Sequence, residues 1–189
     1  TDEAYNASRL KSGVPTVSVR IIDVDVASVV VSAYSLSQPN RIIAESFEGN
    51  TTNRRKIVVE EGGESMFLTI TLATAPLADV TVEVAEMSAD GKNSAATSLL
   101  RLNQSATGSD GGSIGKSHVF RRGELPSRAA PMVLNISVPN NDRQEGIKYS
   151  ALRVTVSQSS DPFFSKLKPI LISVTVRDDE TAEVTKVIS

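Results

Sequence analysis

The chain has 189 residues, no cysteine, no tryptophan and a formal net charge of −2. These features exclude disulfides, thiol catalysis and cysteine-based zinc sites, and the balanced charge is not that of a nucleic-acid-binding protein. No apolar run approaches the roughly 20 residues that a membrane-spanning helix needs, so we expect no direct membrane insertion. Hydrophobic residues make up 40% of the chain, which is enough for a core, and the abundance of Val, Ile, Thr and Ser favours strands.

Alternation of apolar and polar residues, the pattern of a strand with one buried face, recurs along the chain. It first occurs at residues 14–22, where Val17, Val19 and Ile21 share one face. No segment shows helical periodicity, and the short strands predict an all-β fold, an immunoglobulin-like Greek-key β-sandwich of about seven strands. The predicted strands are residues 29–34 together with 55–60, then 65–73, 79–86, 97–102, 131–138, 148–157 and 169–177.

Two stretches interrupt the alternation and are predicted to be insertions. Residues 35–54 contain Pro39 and Gly49 and show no sustained periodicity. Residues 103–130 are rich in Gly and Ser over their first half, which is typical of an irregular segment. A short strand at residues 118–120 is the one element expected inside the second insertion.

The two ends of the chain are similar to each other. Residues 17–27 match residues 173–182, and residues 1–5 match residues 160–164, which indicates an array of similar units. We expect residues 1–27 to be the terminal strand of a preceding repeat, or a strand donated to a neighbour, and residues 28–189 to form the sandwich. A lone strand leaves its apolar face and its backbone groups unpaired, so Val17, Val19 and Ile21 are predicted to form an interface.

Acidic turns are expected to meet at one end of this sandwich. Successive strands run alternately up and down, so residues 60–64, Asp90, residues 140–145 and the chain after residue 177 are predicted at the same end. Converging carboxylates repel one another unless a cation lies among them, and Ca²⁺ accepts about six to eight oxygen ligands. The same residue types also occur in turns simply because they suit turns, and that explanation stays open. The predicted calcium ligands are Glu61, Asp142, Glu145, Asp178, Asp179 and Glu180.

Five segments, in order, resemble Calx-beta domains: EGG at 61–63, ADVTV at 78–82, NDRQEG at 141–146, SSDPFF at 159–164 and VTVRDDE at 174–180. The resemblance covers about residues 28–182, and residues 1–27 match the end of a preceding copy. It implies a structural or adhesive extracellular module of a tandem-repeat or filament-forming protein, with neighbouring copies of the same domain as partners. The alternative that it implies is a calcium-binding regulatory module. Asn140 and Asn141 stand where calcium-binding members carry aspartates, which predicts weak calcium binding or none.

Four Asn-x-Ser/Thr sequons occur, at Asn6, Asn50, Asn103 and Asn135, where about two are expected by chance. They favour a secreted, glycosylated protein, located outside the cell or at its surface, although accidental occurrence is an open alternative. The alternation around Asn135 predicts that its side chain faces outward.

No catalytic constellation is found in the sequence. His118 is the only histidine, and no G-x-S-x-G elbow supplies a nucleophile. Residues 108–117 resemble a phosphate-binding loop, but Asp110 stands where that pattern requires glycine, and no βαβ unit surrounds it. We therefore expect a protein that is not an enzyme. Arg121, Arg122 and Arg128 are expected to be solvated, or to pair with acidic groups of a neighbour.

Overall fold

The structure is a computed structural model that describes residues 26–35, 37, 41–47, 50–53, 56–87, 99–104 and 115–180. Within these ranges eleven strands and one 3-10 turn (Phe164–Lys166) are found. The strands are β1 (Ser28–Tyr34), β2 (Arg41–Phe47), β3 (Asn50–Asn53), β4 (Ile57–Glu60), β5 (Met66–Leu72), β6 (Val80–Met87), β7 (Arg101–Gln104), β8 (Gly115–Phe120), β9 (Met132–Ser137), β10 (Lys148–Ser159) and β11 (Ile170–Arg177).

The strands form two packed sheets, which confirms the predicted all-β, immunoglobulin-like sandwich. One sheet has the order β3-β2-β1-β5-β9-β7, and the other has the order β4-β11-β10-β6-β8. Described neighbours are antiparallel except β4, which runs parallel to β11. The two halves of the first predicted strand therefore lie in different sheets, β1 beside β5 and β4 beside β11. The other strands predicted after residue 64 recur within a few residues of their expected bounds.

The core is built from the alternating positions of the facing sheets. In β5 every second side chain is no more than 4% exposed, and the same period continues in β6, β9 and β11. Burying each such aliphatic side chain contributes about 1.5–3 kcal/mol. Large core side chains with almost no exposure include Leu68, Ile70, Leu134, Leu152 and Ile172.

The prediction that residues 35–54 are irregular is wrong, because β2 and β3 form a hairpin that extends the first sheet beyond β1. Alternation fails in β2 for a physical reason. The register between β1 and β2 shifts between Val31 and Ser32, so that Ile43 has no direct partner. Ile43 and Ala44 are consecutively buried, while Ile42 is 44% exposed. A bulge of this kind breaks the period of two on which the prediction relied.

The second predicted insertion also contains regular structure. β8 begins at Gly115, three residues before the short strand expected there, and pairs with β6 along its length. The strand expected at residues 97–102 is displaced toward the C-terminus and pairs with β9 as β7. Residues 14–22, with Val17, Val19 and Ile21, lie outside the described residues, as do Asn6 and Asp90. The assignment of residues 1–27 to a separate repeat stays a prediction.

The loops divide between two ends of the sandwich. Val80 pairs with both Ser159 and Phe120, so residues 73–79, 121–131 and 160–169 lie at one end, here called the apolar pole. At the other end Glu60 pairs with Arg177, and Lys148 pairs with Val176. Residues 60–64, 140–146 and 177–180 lie there, and this end is called the acidic pole. No helix in the described part of the chain is long and apolar enough to cross a membrane.

Candidate functional site

The acidic pole is centred on Glu61, whose residue is only 2% exposed. Its N–H donates to the carbonyl of Arg177 at the end of β11 (2.8 Å), and the N–H of Gly62 donates to the carbonyl of Val138 after β9 (3.1 Å). The turn therefore bridges the ends of both sheets. This position places an ionisable side chain at the mouth of the core.

Gly62 allows the turn to approach the loop between β9 and β10. Its φ is +60°, and a Cβ added there would lie 2.9 Å from the Cβ of Asn140. Both the left-handed conformation and the close approach favour glycine. The "EGG" sequence thus has a steric explanation that does not depend on any family.

Asn141 connects two of the carboxylates. Its Nδ2 donates to Oε1 of Glu61 and to Oε2 of Glu145, the second at 3.1 Å, while its Oδ1 accepts the N–H of Arg143 at 3.0 Å. The asparagine thus stabilises two carboxylates by hydrogen-bond donation without adding charge. An aspartate at this position could not donate to Glu61.

Asp178 is held by donors from the neighbouring loop. One of its oxygens accepts the N–H groups of Glu145 at 2.5 Å and Gly146 at 2.6 Å. A hydrogen bond from the carboxyl group of Glu180, together with these N–H groups, lowers the pKa of Asp178 to about 2. Asp178 therefore stays ionised through ordinary pH values.

The pKa of Glu180 is shifted in the opposite direction. Its hydrogen bond to Asp178, followed by burial and by the neighbouring Asp179, raises the pKa of Glu180 from 4.5 to about 7. The two carboxyl groups titrate as a pair that shares one proton. The Oε2 atom of Glu180 is buried without a hydrogen-bond partner in the described residues.

Lys148 supplies a cation to this cluster. Its ammonium group pairs with Glu145, and that bond, together with the charges of Glu61 and Asp178, raises the pKa of Lys148. In return the pKa of Glu145 is lowered, first by Lys148 and then by Asn141. The fold therefore compensates much of the acidic charge from within the chain.

Of the six predicted calcium ligands, the structure brings three together. Single carboxylate oxygens of Glu61, Asp178 and Glu180 lie within 4.8 Å of one another. Glu145 lies beside this group, bound to Asn141 and Lys148. Asp142 and Asp179 are exposed and lie outside it. An all-oxygen donor set with one buried, unpartnered oxygen fits a hard cation such as Ca²⁺ better than Zn²⁺.

Sequence reasoning missed Asn141 and Lys148 as members of this site. The predicted ligands are all acids, although the sequence "NDRQEGIK" places a donor and a cation within the same loop. It also missed two buried carboxylates with structural roles. Asp161 accepts three backbone N–H groups at the apolar pole, and Glu86 accepts those of Leu99 and Leu100 and the hydroxyl of Ser150.

The sequons differ in their surroundings. Asn50 and Asn103 are exposed, whereas Asn135 is half-buried in β9, and its Oδ1 has no described partner. Asn103 and Asn135 are direct partners across the β7–β9 ladder. His118 donates its Nε2–H to the carbonyl of Ala130 (3.1 Å) and packs edge-on against Phe120, so its contacts are structural.

The edge of β4 that has no paired strand among the described residues forms a second candidate site. In this part of the chain β4 is the outermost strand of its sheet, and because the N–H of Glu61 faces β11, Val58 turns its N–H and C=O away from β11. A cleft of about 260 Å³ lies along this edge, lined by residues that include Val58, Glu60, Met66 and Arg177. A strand edge beside a side-chain-sized cleft is the arrangement that accepts an extended peptide.

No protein-family model and no curated protein sequence matches the chain. Among solved structures it is similar to the periplasmic chaperone SfaE, with 14% identity, a TM-score of 0.44, and coverage of 66% of this chain and 55% of that one. It is also similar to the E. coli chaperone DraB, with 10% identity, a TM-score of 0.39, and coverage of 68% and 54%. The chain thus spans about half the length of each chaperone.

These comparisons correct the Calx-beta resemblance. It is wrong, because no family model matches the chain. The expectations that depended on it are wrong as well: a structural or adhesive module, a calcium-binding regulatory Calx-beta module, and copies of the same domain as partners. Each of the five short segments has a local use instead, such as the turn at Gly62 or the buried acceptor at Asp161.

Proposed function

We propose that this chain is a binding protein without catalytic activity that takes an extended segment of a different polypeptide at the edge of β4. The main observation in favour of this proposal is that Val58 directs its N–H and C=O away from β11, beside the cleft. Main-chain hydrogen bonds along the edge supply affinity, and side chains that enter the cleft supply selectivity. Buried Met66 contributes an apolar side chain to the lining of the cleft, while Glu60 contributes a negative charge and Arg177 a positive charge.

The test is a peptide selection followed by a change that removes one donor. A displayed library of extended peptides is selected on the chain, and the binders are measured on the wild type and on Val58→Pro. Proline removes the outward N–H but leaves the ladder to β11, and edge strands accept it there. We expect the affinity to fall about tenfold or more.

A matched control is Val119→Ser, at the opposite edge of the same sheet and 39% exposed, which should leave peptide affinity unchanged. Because Val58→Pro can lower stability, hydrogen exchange of the wild type provides a second measurement. The Val58 amide should gain protection when peptide binds. Binding that survives Val58→Pro, together with no added protection at Val58, rejects the proposal.

A second proposal concerns the acidic pole, where we infer a structural calcium ion. It is supported by the grouped oxygens of Glu61, Asp178 and Glu180 and by the unpartnered Oε2 of Glu180. Calcium would replace the proton shared by Asp178 and Glu180, so binding should strengthen as the pH rises through about 7. The melting temperature should rise by about 2–4 °C per kcal/mol of binding energy.

The control for calcium is Asp142→Asn, which removes a predicted ligand that lies outside the cluster. It should keep the calcium-dependent shift, whereas Asp178→Asn should abolish it. An unchanged melting temperature in about 10 mM calcium at pH 8 would reject the site, because even extracellular modules bind calcium near millimolar concentration.

We also propose that the protein functions outside the cytoplasm, in a secreted or cell-surface setting, and that its sequons are glycosylated. The exposure of Asn50 and Asn103 supports this, since a glycan needs solvent. Expression through a eukaryotic secretory pathway should give a mass shift that glycosidase removes. Occupancy should be greater at Asn50 than at half-buried Asn135, and an unmodified secreted chain would reject glycosylation.

A further inference from the structure

Three loops at the apolar pole each present a large hydrophobic side chain to solvent. Leu77 lies between β5 and β6, Leu125 between β8 and β9, and Phe163 between β10 and β11. Their exposed fractions are 61%, 49% and 48%. Single exposed hydrophobic residues are ordinary, but three on adjoining loops form a surface that calls for a partner.

The three loops are fixed to one another by hydrogen bonds. Asp161, only 1% exposed, accepts the N–H of Leu77 at 2.7 Å and the N–H of Phe163 at 2.8 Å through its two oxygens. The N–H of Gly123 donates to the carbonyl of Pro76 at 2.7 Å, which joins the third loop to the first. The hydrophobic side chains are therefore held outward by a rigid base.

The same three loops also carry cationic residues. The three loops contain five cations and three acids, and one of the acids is the buried Asp161. Arg121 is paired with Asp79 at 2.9 Å, whereas Arg122 and Arg128 are exposed. The cations are Arg121, Arg122, Arg128, Lys166 and Lys168.

We propose that the apolar pole binds an anionic phospholipid surface, with Leu77, Leu125 and Phe163 entering the interface and the cations meeting the headgroups. Apolar side chains surrounded by Lys and Arg are the combination that such surfaces bind, and each cation near the membrane contributes to attraction. The acidic pole lies at the opposite end, so its repulsion from the lipid is minimal in this orientation. This surface is independent of the β4 edge.

The absence of tryptophan from the sequence gives a direct test. Phe163→Trp places a single indole at the proposed contact, and Ile147→Trp places one directly after the 140–146 loop of the acidic pole, where Ile147 is 60% exposed. On addition of vesicles containing about 30% phosphatidylserine, the emission of the Phe163→Trp variant should shift to shorter wavelength. The emission of the Ile147→Trp variant should not change.

Co-sedimentation of the wild type supplies a second measurement. Binding to the anionic vesicles should exceed binding to phosphatidylcholine vesicles and should weaken with added salt. The double variant Leu77→Ser, Phe163→Ser should bind about tenfold more weakly, while Ile147→Ser should bind as the wild type does. Failure of the wild type to sediment, or an equal emission shift of both indoles, would overturn the proposal, and the surface would then be assigned to an acidic protein.

Discussion

Replacing Asp161 by alanine should destabilise the protein more than any change of an exposed acid. The carboxylate accepts the N–H groups of Leu77 at 2.7 Å, Phe163 at 2.8 Å and Phe164 at 3.2 Å. Leu77 and Phe163 are exposed, so water can replace part of what they lose. Phe164 is 1% exposed, and its N–H would stay without a partner.

The magnitude follows from these three bonds. Two charge-assisted bonds that water partly replaces cost about 1 kcal/mol each, and an unsatisfied buried N–H costs about 1–3 kcal/mol. We expect a loss of about 3–5 kcal/mol in the free energy of unfolding, a large share of the roughly 5–15 kcal/mol of an ordinary domain. Urea denaturation followed by far-ultraviolet circular dichroism measures it.

Two further variants define the comparison. Asp161→Asn keeps one accepting oxygen but sets its NH₂ against a backbone N–H, so it should cost about 2 kcal/mol. Asp79→Ala removes an acid that also accepts a backbone N–H, from Arg122, but its side chain is 49% exposed, so the loss should be much smaller than that of Asp161→Ala. The reasoning is refuted if Asp161→Ala and Asp79→Ala destabilise the protein equally.

Two other predictions concern the acidic pole. Gly62→Ala should lower the free energy of unfolding by about 2–3 kcal/mol, because φ is +60° and the added Cβ would lie 2.9 Å from Asn140. Gly146→Ala should lower it by only about 1–2 kcal/mol, because φ is +72° but nothing lies within 4 Å. Equal losses in urea denaturation would contradict the close approach at Gly62. Because the pKa of Glu180 is raised to about 7, its stabilising effect is complete below about pH 4.5 and is lost as the pH rises through 7. Glu180→Gln keeps a neutral partner for Asp178, so its melting temperature should fall less between about pH 5 and pH 8, and parallel curves would contradict the shared proton.

The strands of the core could be predicted because one face of each is buried and the other is not. β5 and β11 lie within one residue of their predicted bounds, since their alternation is uninterrupted. β2 could not be predicted in the same way, because the register shift near Ile43 buries consecutive residues. β8 contains Gly115, Lys116 and Ser117, and pairing with β6, not its own composition, makes it a strand.

The acidic pole could be predicted in its location but not in its chemistry. The alternation of strand direction is enough to bring Glu61 near Asp178 and Glu180. The direction of a side chain in a turn depends on the local backbone geometry, which the alternation of apolar and polar residues does not predict. Asp142 points outward, while the neighbouring Asn141 binds Glu61. A prediction based on acidic residues alone therefore names the right loops and only some of the right side chains.

The two poles differ in the free energy that a bound partner would gain there. At the acidic pole the carboxylates already interact with Lys148, Asn141 and the proton of Glu180. The net binding free energy of a cation is therefore only the amount by which its interactions exceed these internal ones. At the apolar pole Leu77 and Phe163 are 61% and 48% exposed, although their N–H groups are bound to Asp161. Covering them costs little ordering entropy, because the loops are already fixed. A calcium ion is therefore expected to change stability modestly, whereas an apolar and anionic surface should bind without changing the fold.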